Sequence, residues 1–174
     1  MNEREMLEAL DEVLLRGENL LAAVSDETYS RHVPSAYNAS LGGHYRHCIE
    51  HFRSVLDSEE SDEIDYDLRP RDVLLETCRT AAIAETTRLR ERTNAIPPET
   101  LCRPVRIRHS VSYANSHSPA AESTVGREIL FCISHAIHHY ALMGIICGAL
   151  EVDLPTDFGI APSTVRHYAA AVSA

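Results

Sequence analysis

An all-α four-helix bundle is the fold that this 174-residue chain predicts. Three observations carry the expectation. Apolar residues recur every three or four positions over long stretches, the period of a helix face turned toward a core. Four such stretches can be read, separated by turn and loop signals. The last of them, Ile129 to Leu150, is apolar on nearly every side and long enough to run the length of a bundle. Composition agrees, with 44% hydrophobic and 24% charged residues, the usage of an ordinary globular chain. One domain over residues 1–174 is expected, large enough to bury its own core.

The first helix is expected from Glu3 to Val24. Met6, Leu10, Val13, Gly17, Leu20 and Val24 make its seam, and Gly17 marks a place where a neighbour comes close. Ser40 is the N-cap of the second helix, which runs to about Leu56 with Leu41, Tyr45, Cys48, Phe52 and Val55 on its stripe. Acidic residues from Asp57 to Glu63 follow as a solvated loop. The third helix starts at Pro70, a good first-turn residue, and runs to about Thr93. Leu75, Cys78, Ala82 and Leu89 form its stripe, and Glu85 falls on it. Ser123 or Thr124 opens the fourth helix, which ends near Gly148. Between the third and fourth lies Asn94 to Glu122, a connection too long for a bundle turn. Within it Val105, Ile107, Val111 and Tyr113 alternate with Arg106, Arg108, Ser110 and Ser112, which predicts a strand. After the fourth helix a loop from Leu154 to Pro162 leads to a short helix, Ser163 to about Ala171, folded back on the bundle.

Charge and composition exclude several functions. A net charge of −10 argues against nucleic acid or an anionic membrane as partner, since both need a basic footprint. All sixteen basic residues are arginine, which excludes Schiff-base and P-loop lysine chemistry. The charged start, Met1-Asn2-Glu3-Arg4-Glu5, lacks the apolar stretch of a signal peptide, so a cytoplasmic location is expected. The run from Ile129 to Leu150 could cross a bilayer by length. Three histidines and a tyrosine at its centre argue instead for a core helix. Cys48, Cys78, Cys102, Cys132 and Cys147 are scattered with no Cys-x-x-Cys pair, the pattern of reduced thiols rather than disulfides or a structural zinc site.

The most informative segment is Ser134-His135-Ala136-Ile137-His138-His139-Tyr140. A buried imidazole must find a partner or destabilise the fold by about 1–3 kcal/mol. His135 and His139 are i and i+4, on one helix face, and can chelate a single ion. The second helix carries His44, His47 and His51, within about 60° of one another around its axis. If it packs beside the fourth helix, one of these three meets His135 and His139 across the groove. Three histidines leave coordination positions open, the pattern of a catalytic rather than a structural site. Neutral imidazole suits a divalent zinc, nickel, iron or copper ion. The open position could take water, made acidic by the ion, or a substrate thiolate. The competing account makes these histidines core residues bonded to backbone carbonyls; two histidine sets on separate helices favour metal.

Gly42-Gly43-His44-Tyr45-Arg46-His47-Cys48-Ile49-Glu50 on the second helix, with His135 and His139 on the last, resembles the DinB/YfiT-like superfamily. The resemblance covers nearly the whole chain in helix order and length. It implies a small four-helix bundle with a metal-binding histidine triad, and relatives that include bacillithiol S-transferases, mycothiol-dependent maleylpyruvate isomerases and the N-terminal domain of ergothioneine sulfoxide synthases. The family's second-helix ligand maps to His47, so the triad implied is His47, His135 and His139. There are departures. The ergothioneine-type domain has an acidic residue where this chain has Ala141, and the isomerase branch uses a glutamate in its triad. The pattern is nearest the YfiT and thiol-transferase type. The resemblance therefore implies one divalent transition metal ion, a small-molecule substrate that could include a low-molecular-weight thiol, and a homodimer. A non-catalytic metal- or ligand-binding protein of a stress response is the alternative, and a fourth protein ligand such as His44 or His51 would mark it.

His44, His51 and His138 are the remaining candidates, as alternative ligands or as residues that support the ligands. A ligating ring needs its other N–H held by an acceptor, and Glu50, Glu85, Glu128 and Ser134 are candidates. The three glutamates are also the candidates for a catalytic base. Arg69, Arg71, Arg103, Arg106 and Arg108 could bind an anionic cosubstrate, although surface pairing with the acidic loop is the simpler reading. Cys48 and Cys132 neighbour the histidines and are read as packing residues. His109, His117 and His167 fall in the loop and tail. The connection 94–122 and the tail from Phe158 to Tyr168 are expected to shape the pocket.

Overall fold

The computed structural model describes residues 2–58, 61–114 and 117–172. The chain is mostly helical, with one small sheet. Helix α1 (Glu3–Ala23) begins in a capping box: the Asn2 side chain accepts from Glu5 N at 2.8 Å, and Glu5 returns a carboxylate to Asn2 N. A five-residue α2 (Asp26–Ser30) follows, capped by Ser25. Helix α3 (Leu41–Leu56) starts as expected at Ser40, whose Oγ accepts from Gly43 N at 3.0 Å. Then come α4 (Val73–Thr77), α5 (Arg79–Ala95), α6 (Val125–Ala149, capped by Thr124) and α7 (Pro162–Val172).

Four of these helices are long. Helix α1 packs against α5 and α6, and α3 packs against the same two. Leu10, Leu14 and Leu21 of α1 meet Ile49 and Phe52 of α3, Leu89 of α5, and Ile129 and Met143 of α6 in one apolar core. Two of the core tyrosines bring their hydroxyls together beside α1, and both are satisfied. Tyr140 Oη donates to Val13 O at 3.0 Å, and Tyr45 Oη pairs with Thr86 Oγ1 at 2.8 Å. Gly17 lies where the two hydroxyls converge, and a Cβ there would collide with both. Its place on the seam is therefore a matter of space.

The continuous third helix expected from Pro70 to Thr93 is broken. Cys78 is extended, with φ −116° and ψ 102°, and separates α4 from α5. Pro70 lies outside the helix, and Asp72 caps α4 by accepting from Leu74 N at 3.0 Å. The break lets α4 lean onto α3 so closely that the Glu76 carbonyl occupies the space a side chain at position 42 would need. Gly42 meets that demand.

The expectation of an all-α chain omitted the sheet. Strand β1 (Glu63–Asp65) lies parallel to β2 (Pro104–Arg108), with Glu63 opposite Arg106. Strand β2 is antiparallel to β3 (Ala120–Thr124), with Pro104 opposite Thr124. Val105 and Ile107 are in a strand as their alternation predicted, but Val111 and Tyr113 lie beyond its end and are exposed. The acidic stretch is only partly a solvated loop. Asp57 pairs with Arg88, Ser58 is buried and Glu63 begins β1, while Glu59 and Glu60 fall outside the described residues. The sheet follows the C-terminal end of α3 and runs, through Thr124, straight into α6. It ties together the ends of the two helices that carry the histidines.

By length and composition α6 could cross a membrane, a test that core helices also meet; here it is packed against α1 and α3. Helix α7 is where the spacing placed it, but its return to the bundle is slight: Thr164 and Val165 are half-buried and Arg166 to Ala171 are exposed.

Candidate metal centre

Helices α3 and α6 run antiparallel, so their histidines meet in rungs. His44 Nδ1 is 2.9 Å from His139 Nδ1, and His47 Nε2 is 2.9 Å from His135 Nε2. One turn on, the Cys132 thiol donates to the carbonyl of His51 at 3.5 Å. His47, His135 and His139 each offer a ring nitrogen, and these atoms lie within 4.8 Å of one another. Imidazole nitrogens held at about 2.0–2.1 Å from one ion sit about 3 Å apart across a right angle and farther across a wider one. The donor set fits a divalent transition metal ion in number and in chemistry.

The rings are also in the protonation state that ligation needs. Burial disfavours the imidazolium and pushes His47 down to about 2, His139 to about 3 and His135 to about 4, with help from neighbouring histidines and the Arg69 guanidinium. Neutral rings keep a lone pair for a metal at neutral pH.

Of the other candidates, His44 is brought to the group as a support. It holds Nδ1 of His139 and leaves that ring's Nε2 free to ligate. His51, 2% exposed, donates from Nδ1 to the carbonyl of His47 at 2.7 Å, and its ring stacks on Tyr66. Neither belongs to the triad. His138 is exposed, and its ring meets that of His139. Glu50 is fully buried and accepts from Asp72 N at 2.7 Å, with Arg46 at 3.5 Å and Arg69 at 4.0 Å. It holds the 69–72 segment against α3. Glu128 accepts from Tyr66 Oη at 2.7 Å and Ser123 Oγ at 2.6 Å, and so fixes the ring on which His51 rests. Glu85 pairs with Arg53 and Arg88 on the flank of the bundle and is not brought to the histidines. Ser134 is exposed.

Among the arginines, Arg108 pairs with Glu63, and Arg103 donates to the carbonyls of Ser58 and Ser61. Arg69 differs, because its Nη1 lies 2.8 Å from His47 Nδ1. Cys48 and Cys132 are buried, which raises both thiols, Cys132 to about 12. They are packing groups, as expected.

Two residues at the site went unread in the sequence. Phe131 stacks on His135 at 5.6 Å, and Tyr66 meets both Phe131 and His51. His109, from the 94–122 connection, closes this aromatic wall at 5.6 Å from Tyr66. Phe131 is i−4 from His135, a spacing that was available as a signal; Tyr66 sits alone in its segment and offered none. The tail does not shape the site, contrary to expectation. Phe158 stacks on Tyr140, and Ile160 and Val165 line a cleft with Ile133 and Ile137. On a helix Ile137 points about 160° away from His135, so the tail covers the opposite face of α6. His117 is exposed, and His167 packs on Tyr168.

FK506-binding protein 5 of Rhizopus delemar is 34% identical to this chain over 104 residues, covering 60% of the chain and 27% of that protein. The chain thus spans about a quarter of the length of that relative. No solved structure matches. A family model described as DinB superfamily matches residues 9–143. That span holds both histidine-bearing helices up to Met143, and it places the chain in the DinB superfamily.

Proposed function

We propose that the protein is a metal-dependent enzyme acting on a small molecule, with a divalent zinc, nickel or iron ion held by His47, His135 and His139. The carrying observation is the group itself: three neutral imidazoles from two helices, with no fourth histidine, cysteine or carboxylate among its described members. A site of three protein ligands keeps positions open, whereas a structural site is closed by four. A bound ion would supply Lewis acidity, lowering the pKa of a water or a low-molecular-weight thiol at the open position. The chain's own residues do the rest. His44 keeps the His139 ring in one orientation, and Glu128, through Tyr66, fixes the floor under His51. Phe131 and Tyr66 keep water from one side of the rings. Hydrolysis and thiol S-transfer are the two reactions this site would support.

The four long helices are read as the DinB/YfiT-type bundle, and residues 1–174 as one unit. It would work as a cytoplasmic homodimer, on neither nucleic acid nor membrane. The test follows an electrophile such as 1-chloro-2,4-dinitrobenzene with the zinc- or nickel-loaded protein, in glutathione, bacillithiol, mycothiol or no thiol. Consumption above the uncatalysed rate only with one thiol supports S-transfer. Equal product without thiol removes the transferase branch. One observation favours a second reading, a metal-free bundle with the histidines as core polar residues: the rings also satisfy one another, His47 with His135 and His44 with His139. Absence of metal after incubation with zinc, nickel and iron(II) would favour it, whereas metal bound without turnover of any electrophile or ester would favour a non-catalytic binding protein.

A further inference from the structure

Arg69 reaches the histidines from the segment between β1 and α4, and its surroundings do not match those of a surface arginine. It is half-buried, its side chain 14% exposed. Its Nε donates to Tyr66 O at 2.5 Å, which anchors the base of the guanidinium. Its Nη1 points into the histidine group, 2.8 Å from His47 Nδ1 and 3.3 Å from His51 Nδ1. The second contact is no hydrogen bond, because His51 spends its Nδ1 proton on the carbonyl of His47. Nη2 has no acceptor among the described residues. The nearest carboxylate, Glu50, is 4.0 Å away and already serves Asp72 N and Arg46. Asp67 adds negative charge nearby, while Arg46 and Arg71 oppose it.

The hydrogen bond to His47 is one that ligation would end. Arg69 is a donor only, so His47 Nδ1 accepts, and the proton of that ring sits on Nε2, facing His135. A neutral imidazole that ligates through Nε2 carries its proton on Nδ1 instead. Arg69 Nη1 then loses its acceptor while Nε stays tied to Tyr66. Nη1, beside the histidine group, is then free to donate to an acceptor that a ligand brings.

We propose that Arg69 is the anion-binding residue of this centre, so that the small molecule taken there carries a carboxylate close to the group that meets the metal. A planar guanidinium with two free N–H edges receives a carboxylate in two parallel hydrogen bonds. The inference rests on the metal reading above. It narrows that reading from any small molecule to anionic ones, and it removes Arg69 from the surface-pairing role that the sequence suggested.

The test uses cobalt(II)-loaded full-length protein and two probes, mercaptoacetate and mercaptoacetamide. They share a sulfur for the metal and differ in the carboxylate. Binding is read from the cobalt–thiolate absorption. Wild type should bind mercaptoacetate about tenfold more tightly than the amide, the scale of a charge-assisted pair. In Arg69→Gln the preference should fall to about one, with cobalt still bound, and Arg69→Lys should keep part of it. A wild type that binds both probes equally overturns the proposal whatever the variants do, as does a preference that survives Arg69→Gln. Failure of wild type to take up cobalt overturns the metal reading and this inference with it. Cobalt bound with no preference overturns the inference alone.

Discussion

Acid should unfold this protein well before its carboxylates titrate, because the histidines between α3 and α6 are held neutral. Burial lowers His47 to about 2, His51 and His139 to about 3 and His135 to about 4, from an ordinary value near 6.5. Between about pH 6.5 and pH 4 the unfolded chain takes up a proton on each ring and the folded chain does not. The depressed folded values thus contribute stability that is present above pH 6.5 and is lost as pH falls. From about pH 7 to about pH 5.5 each ring forfeits about 1 kcal/mol, and the four together about 4–5 kcal/mol. That is a large part of the 5–15 kcal/mol that typically holds a domain together, roughly the whole of it at the lower end. The assay is urea unfolding followed by circular dichroism, in chelator, at both pH values. The transition midpoint should drop steeply with an unchanged slope. A loss below about 1 kcal/mol would refute the reasoning, because the rings would then be charged or solvated in the folded state.

Other changes have outcomes as definite. His44→Ala should weaken metal binding by about 10–100-fold without abolishing the one-ion stoichiometry, since His44 orients His139 rather than ligating; titration against a chelating indicator reads it. Gly42→Ala should cost about 1–3 kcal/mol, because the Glu76 carbonyl is backbone and is slow to yield. Gly43→Ala, whose nearest neighbours are side-chain atoms of Ser40 and Glu76, should be neutral or stabilise by up to about 1 kcal/mol; thermal melts compare the two. Toward a thiol reagent in the native state, exposed Cys102 should react first, and Cys48 and Cys132 only on unfolding, because burial raises both of their thiols; mass spectrometry of labelled peptides gives the order.

What was legible in the sequence was whatever repeats with a helix. The seam through Gly17, the Ser40 cap, a fourth-helix start at Ser123 or Thr124 and the pairing of His135 with His139 on one face all follow from local spacing, and the structure chooses Thr124. The break at Cys78 was hidden because Leu75, Cys78 and Ala82 keep helical spacing straight through it. Strand β1 has one buried apolar residue, Ile64, inside an acidic stretch, too little for a period to show, and its partner lies some forty residues on. The choice among His44, His47 and His51 depended on how far α3 slides along α6, which no single helix encodes. Family resemblance named His47, and the antiparallel rungs set it against His135. The misplaced tail is a different case. The angle between His135 and Ile137 was readable, and weighing it would have put Phe158 to Val165 behind α6.

The central claim is that His47, His135 and His139 hold one metal ion. Its most direct test is the metal content of tag-free protein by inductively coupled plasma mass spectrometry, for wild type and His139→Ala, with circular dichroism to show that both are folded. About one equivalent of a transition metal is expected in wild type, and its loss in the variant. Absence of metal from both, after incubation with zinc, nickel and iron(II), would contradict it and leave the histidines as a hydrogen-bonded core network.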